Sequence, residues 1–368
     1  MRIENFGYAG LLKKMAAAMA AALMIIPANA QSPADSILHF IKNNKSRSSL
    51  YLVQNDSVLA RQNENMLMPL ASTVKIMVAI EFAKQAGKKV IDEKSLVPLK
   101  ELDKYYLFNT DGGAHPAWLQ FEKKQNHIVN DSIPLIDVAR GMILFSSNAN
   151  TEYLMDLLGM DNVKNNIQLL GLKKHTALYP VVASLFMYQN PKRLKEEKII
   201  KGIKALDEEH YCRYIFDMHN ALKYDTVLKA SFNPFDLSMN MQKLWSNRLT
   251  ASTTKEYAHI GSILNRRKYF DQATYAILSL VLESVMENPA NKNWLKHAGM
   301  KGGSTAFVLT KALYATTQKE EKIEMAYFFN DLTQAENSKL QKWMNAFELS
   351  VLSKPEFRDR IRTLFLKE

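Results

Sequence analysis

Met68-Pro69-Leu70-Ala71-Ser72-Thr73-Val74-Lys75 runs on into Ile76-Met77-Val78-Ala79-Ile80-Glu81-Phe82-Ala83, joining a turn to an apolar stretch that reads as a buried helix. Upstream lie two strand-like runs, Ser49–Gln54 and Val58–Gln62, whose connection through Asn55-Asp56-Ser57 predicts a hairpin. Residues three apart share a helix face, so Ser72 and Lys75 can point at one spot. A serine hydroxyl is a poor nucleophile until a neighbour takes its proton. A lysine desolvated by an apolar helix has its pKa lowered, the direction a base needs. Ser72 is thus a candidate nucleophile and Lys75 its candidate base. The same spacing recurs at Ser252-Thr253-Thr254-Lys255, ahead of Glu256-Tyr257-Ala258-His259-Ile260. There Ser or Thr reads as a helix cap.

The N-terminal residues read as a processing signal. Lys13-Lys14 precede an apolar run from Met15 to Ile26, followed by Pro27-Ala28-Asn29-Ala30. Such a run ending in Ala-x-Ala predicts a signal peptide over residues 1–30, cut after Ala30. The run is too short to span a bilayer comfortably, and no cysteine follows it to carry a lipid. A periplasmic or secreted protein with no integral membrane segment after processing is expected. Cleavage removes three basic residues and one acidic one, taking the net charge from +11 to +9. The Lys and Arg residues are dispersed, without a nucleic-acid recognition pattern; anionic surfaces or cell-wall polymers are compatible partners. Cys212 is the only cysteine, so no internal disulfide forms and stability must come from packing.

Along the chain, Ala34–Asn43 reads as an amphipathic helix, as do Pro134–Phe145 and Thr151–Leu158. Two more helices fit Thr250–Asn288, interrupted near Arg266-Arg267. Ser304–Ala315 and Lys322–Phe329 read as strands about a turn at Thr317–Glu321, and Leu340–Leu352 as a helix. Residues 173–250 carry charge clusters and receive no assignment. The pattern predicts an α+β fold, an antiparallel sheet flanked by N- and C-terminal helices with an inserted helical subdomain. Its sheet lobe would comprise about 31–71 and 289–368, and its helical lobe about 72–288.

Two further polar clusters stand out. Ser146-Ser147-Asn148-Ala149-Asn150-Thr151 is wedged between apolar helices, where it can aim a hydroxyl and a carboxamide into a cleft or simply cap a helix. Met300-Lys301-Gly302-Gly303-Ser304 places a cation before two glycines. Strand glycines mark close approach of a backbone or ligand, although the run also suits an ordinary turn into the strand from Thr305.

Ser-x-x-Lys, then Ser-x-Asn, then Lys-x-Gly, in that order, resembles the penicillin-recognising serine hydrolases, the superfamily of class A β-lactamases and penicillin-binding proteins. The resemblance covers most of residues 31–368 and implies the β-lactamase/transpeptidase-like fold. It implies Ser72 as acylated nucleophile, Lys75 as proton acceptor and Ser146 as relay to the leaving nitrogen. Asn148, Lys301, Gly303 and Ser304 would bind substrate, with the N–H groups of Ser72 and Ser304 as oxyanion donors. No cofactor or metal is implied, and a monomer is expected, acting on a small-molecule or cell-wall peptide substrate.

Three departures matter. Gly302 stands where the family carries a hydroxyl residue, and Ser147 where class A enzymes carry Asp. The segment Thr176–Asn190, where a water-activating Glu would fall, holds no acid at all. Glu196, Glu197, Asp207, Glu208, Glu209, Asp236 and His175 are the substitutes the sequence offers. The expectation is an exported serine hydrolase acting through a Ser72 acyl-enzyme on β-lactam or related amide and ester substrates. The alternatives are a D,D-carboxypeptidase, penicillin-binding protein or esterase, and a non-catalytic cell-wall or partner-binding protein on the same fold.

Overall fold

Ser48–Gln54 (β1) and Ser57–Gln62 (β2) pair antiparallel, and Asn55 and Asp56 turn the corner with φ of 49° and 70°. Asn and Asp tolerate left-handed backbone better than most residues, and this pair builds the two-residue turn that twisted strands favour. The structure, a computed structural model, describes residues 32–190 and 194–366. The expected signal peptide lies outside them. Three later strands, Leu295–Ser304 (β3), Leu309–Thr317 (β4) and Lys322–Phe329 (β5), complete an antiparallel sheet of order β2-β1-β5-β4-β3. Leu50 pairs with Tyr327, so the hairpin joins strands from the far end of the sequence.

The strand expected over Ser304–Ala315 begins only at Leu309 and runs to Thr317. Lys301-Gly302-Gly303 does not enter a strand; it ends one, and Thr305–Val308 is the turn into β4. Three glycines in Leu295–Ser304 masked the strand, and packing explains one of them directly. A Cβ at Gly299 would meet the Tyr314 ring at 2.5 Å, so the ring fills the space a side chain would take.

Helices Pro33–Asn43 (α1), Lys75–Gly87 (α2), Ala114–Lys124 (α3), Leu135–Leu144 (α4) and Asn148–Leu158 (α5) come first. Glu208–Leu222 (α6), Thr254–Arg266 (α7), Gln272–Leu282 (α8), Gln334–Ser353 (α9) and Pro355–Phe365 (α10) follow. The helix expected over Leu340–Leu352 starts earlier, at a capping box between Thr333 and Glu336, and α10 after it was not foreseen. Thr253 caps α7, its hydroxyl accepting from Glu256 N, while Ser252 is buried and donates to Glu256 at 2.6 Å. The second Ser-x-x-Lys is architecture.

One face of the sheet buries Leu52, Met325 and Phe329 against α1, α9 and α10; the other buries Ala326 and Phe328 against α7. Beyond α7 lies α2, with every residue from Lys75 to Ala83 buried among α4, α5 and α8. Leu107 and residues drawn from 179–190 and 199–245 form a third apolar cluster around Tyr188, Tyr211 and Ile215. Among the described residues no helix is long and apolar enough to cross a membrane.

A buried ion cluster ties that third cluster to α5. His219 of α6 contacts Glu152 at 3.2 Å and Asp156 at 2.9 Å, and Lys223 reaches Asp156 at 2.7 Å. Burial disfavours the imidazolium, yet hydrogen bonds to Asp156 and Glu152 lift its pKa to about 9; burial likewise opposes the Asp156 charge, but His219 and Lys223 bring it down to about 2. The His219 contribution is therefore complete below its ordinary value of 6.5 and disappears as pH rises through about 9. The Asp156 contribution is complete above 3.8 and lost as pH falls through about 2. His219→Leu, which leaves the buried Glu152 carboxylate without its cation while Asp156 keeps Lys223, is expected to cost roughly 3–5 kcal/mol in urea unfolding at pH 6. A wild-type midpoint in that variant would contradict the assignment.

Candidate active site

Ser72 sits in a 3-10 turn, Ala71–Val74, directly before α2, so the helix itself starts at Lys75. Ala71 holds φ at +45°, a left-handed conformation that costs a non-glycine residue energy and gathers at functional sites. The turn is bolted down. Leu70 N donates to Thr250 O at 2.9 Å, and Thr310 of β4 donates to Leu70 O at 2.8 Å. With its single proton spent there, Thr310 accepts from the Thr73 hydroxyl, 2.8 Å away. Ser72 is half-buried, and its hydroxyl has no hydrogen-bond partner among the described residues.

Lys75 is 2% exposed. It donates to Ser146 O at 2.6 Å and Asn148 Oδ1 at 2.8 Å, with Ser146 Oγ at 3.5 Å. Burial lowers its pKa to about 7, against the pull of Asp111 and Glu152. Lys301 reaches the same hydroxyl from β3, donating to Ser146 Oγ at 3.0 Å and Gly302 O at 2.9 Å. Burial, and then the Lys75 and Lys311 charges, hold Lys301 well below its ordinary pKa. Ser146 Oγ thus lies between two amines, on a residue held at φ +70°.

The polar turn is shorter than its composition suggests. Only Phe145, Ser146 and Ser147 separate α4 from α5; Ser147 is the N-cap, accepting from Asn150 N, and Asn148 is the first helical residue. The Asn148 carboxamide is oriented at both ends, accepting from Lys75 and donating to Thr110 O at 3.4 Å. Gly303 lies against the nucleophile turn, where an added Cβ would be 2.5 Å from Leu70 O and Ser72 N. Ser304 is exposed at the end of β3, opposite Leu309. The structure thus joins Lys75, Ser146, Asn148 and Lys301 by hydrogen bonds and lays the end of β3 along Ser72.

The substitute acids do not enter this cluster. Asp207 caps α6, Glu208 accepts from Ala177 N, Glu209 pairs with Arg213, Asp236 with Asn233 and Glu196 with Asn240; Glu197 is exposed. His175 is spent on Thr176 O and the Tyr257 hydroxyl. Thr305, adjacent to Ser304, uses its hydroxyl on Ser246 and on the turn N–H groups of Phe307 and Val308. It does not replace the hydroxyl absent at Gly302.

Three site-shaping residues escaped the sequence reading. Glu152 follows Asn148 by four, on the same helix face, and accepts from Val182 N at 2.6 Å, tethering the segment that lacks an acid. Asp111 accepts from the N–H groups of Gly113, Ala114 and His115 at the start of α3. His115, kept neutral by burial, holds Ser147 Oγ at 2.9 Å and Asn150 Oδ1 at 3.2 Å from Nδ1. The Asn148–Glu152 spacing was a readable signal; Asp111 and His115 offered none.

No curated protein matches the sequence. Among solved structures the fold is similar to a β-lactamase from Sphaerobacter thermophilus DSM 20745, at 15% identity over 86% of this chain and 96% of that one, with a TM-score of 0.52. It is similar to the TLA-3 extended-spectrum β-lactamase, at 14% identity over 87% and 98%, TM-score 0.52. A PBP-A variant solved as an acyl-enzyme complex with penicillin G matches at 15% identity over 86% and 97%, TM-score 0.50. At such identities the likeness is one of fold. In sequence, the profile of the β-lactamase enzyme family matches residues 32–278. With well over half of its residues inside that match, this chain belongs to the β-lactamase enzyme family.

Proposed function

We propose that the protein is an exported serine hydrolase that forms an acyl-enzyme on Ser72 with β-lactams or related amides and esters. The observation that carries this reading is the buried Lys75 amine, with a pKa near 7, one helical turn from Ser72. Near neutral pH a large fraction of that amine is free to accept the Ser72 proton as the oxygen attacks the substrate carbonyl carbon. The N–H groups of Ser72 and Ser304 take the developing oxyanion. Ser146, bridged to both amines, returns a proton to the leaving nitrogen. Asn148 holds a substrate amide and Lys301 a substrate carboxylate.

A second reading concerns release. Thr176–Asn190 contains no acid, and the nearby carboxylate of Glu152 is committed to Val182 N and His219. Acylation then outpaces hydrolysis, the behaviour of a penicillin-binding protein; the PBP-A variant with penicillin G is the structural parallel. Intact-mass spectrometry after mixing with penicillin G tests both readings. A lasting adduct of one penicillin mass is expected, lost in Ser72→Ala. A transient adduct with product release would favour efficient turnover. Absence of any adduct on the wild type, with penicillins and fluorophosphonate probes alike, would favour a binding protein on this fold.

A further inference from the structure

Away from the Ser72 cleft, Glu122, His127 and Asp137 bring three metal-ligating atoms within 4.8 Å of one another. Glu122 is in the last turn of α3, Asp137 in the first turn of α4, and His127 on the loop between them. His127 Nδ1 lies 2.7 Å from Glu122 Oε2 and 3.7 Å from Asp137 Oδ2. Donor atoms around a tetrahedral Zn²⁺, bonded at about 2.0–2.2 Å, stand about 3.3–3.6 Å apart. The observed separations straddle that value.

The second observation is Asp137 itself. It is 9% exposed, its carboxylate has no hydrogen-bond partner among the described residues, and it faces His127. Arg140, the nearest guanidinium along α4, gives its own contact to Glu287. Glu122 is 3% exposed; one oxygen accepts from Trp118 Nε1 at 2.9 Å, which turns the other toward the imidazole. His127, with a side chain 45% exposed, leaves the mouth open for water to complete a coordination shell.

We propose that Glu122, His127 and Asp137 bind a divalent transition metal, with Zn²⁺ as the best-matched ion, as a clip between α3 and α4. One nitrogen and two carboxylate oxygens suit a borderline ion, while too few oxygens converge for Ca²⁺. The clip joins the two helices whose far ends carry His115 and the Ser146–Ser147 turn. It stands independently of the reaction at Ser72.

The test is equilibrium dialysis of the EDTA-stripped whole protein against ZnCl₂, with zinc counted by plasma mass spectrometry and thermal midpoints measured alongside. One Zn²⁺ per chain and a raised midpoint are expected. His127→Ala changes an exposed loop side chain and leaves the fold in place; it should weaken binding by about 100-fold or more, since even outer-shell losses cost 10–100-fold. Asp137→Asn should do the same, and Ser72→Ala should bind as wild type. Zinc binding that is absent, or equal in all variants, would overturn the site. A Mg²⁺ response equal to the Zn²⁺ response would overturn the choice of a transition metal.

Discussion

Lys75→Met is expected to lower the rate of Ser72 acylation by penicillin G by about 10²–10⁴-fold, the range a positioned general base supplies. The wild-type rate should climb with pH through about 7, as the amine loses its proton, and level off above it. The variant should lose that inflection. Stability separates this outcome from misfolding. A lysine whose folded pKa lies below its unfolded one penalises folding, fully below about 7 and progressively less as pH rises to 10.5. Removing the amine removes that penalty, so the variant should retain its near-UV circular dichroism and its thermal midpoint at pH 7. Acylation at the wild-type rate, or with the wild-type pH profile, would remove Lys75 from the reaction.

Gly303→Ala should come close behind. The added Cβ would stand 2.5 Å from Leu70 O and Ser72 N and 2.8 Å from Thr310 Oγ1. Two of these atoms are backbone, and the third is a hydroxyl already bolting the turn, so none can swing aside. The end of β3 must move outward, separating the Ser304 N–H from the Ser72 N–H. Misplacement on the scale of 1 Å costs about 10²-fold in rate, and overpacking costs about 1–3 kcal/mol. Gly302→Ala is the control. Its Cβ would meet Lys311 Cε and Thr310 O at 3.4 Å, ordinary contact distances, and acylation should stay near wild type. Equal rates in the two variants would show that the close approach at Gly303 has no bearing on the chemistry.

Legibility in the sequence followed the range of the forces involved. The hairpin was readable because Asn55-Asp56 encodes its own turn, and α2 because an unbroken apolar run needs burial on every side. The break at Arg267, held at φ +51°, was visible as an interruption between two periodic stretches. β3 was not readable. Two of its glycines, Gly299 and Gly303, answer to Tyr314 and to the Ser72 turn, partners 15 or more positions away that leave no local trace. Residues 194–250 resisted assignment because Glu196–Ala205 and α6 bury only narrow stripes beneath charged, solvated faces. At the site, the order of three polar clusters was legible. The way Asp111 and His115 surround it was not, because no spacing rule connects a loop carboxylate or an α3 histidine to a lysine on α2.

The sheet order carries a consequence for synthesis. β1 needs β5 as its inner neighbour, yet a ribosome delivers the first hairpin long before Lys322–Phe329. Throughout translation of everything between, that edge offers unsatisfied N–H and C=O groups to any passing strand. Closing so large a loop is also slow, because its entropy must be surrendered before the contact rewards it. Nascent chains halted before Lys322 therefore keep a sticky margin, and only completion of β5 seals it.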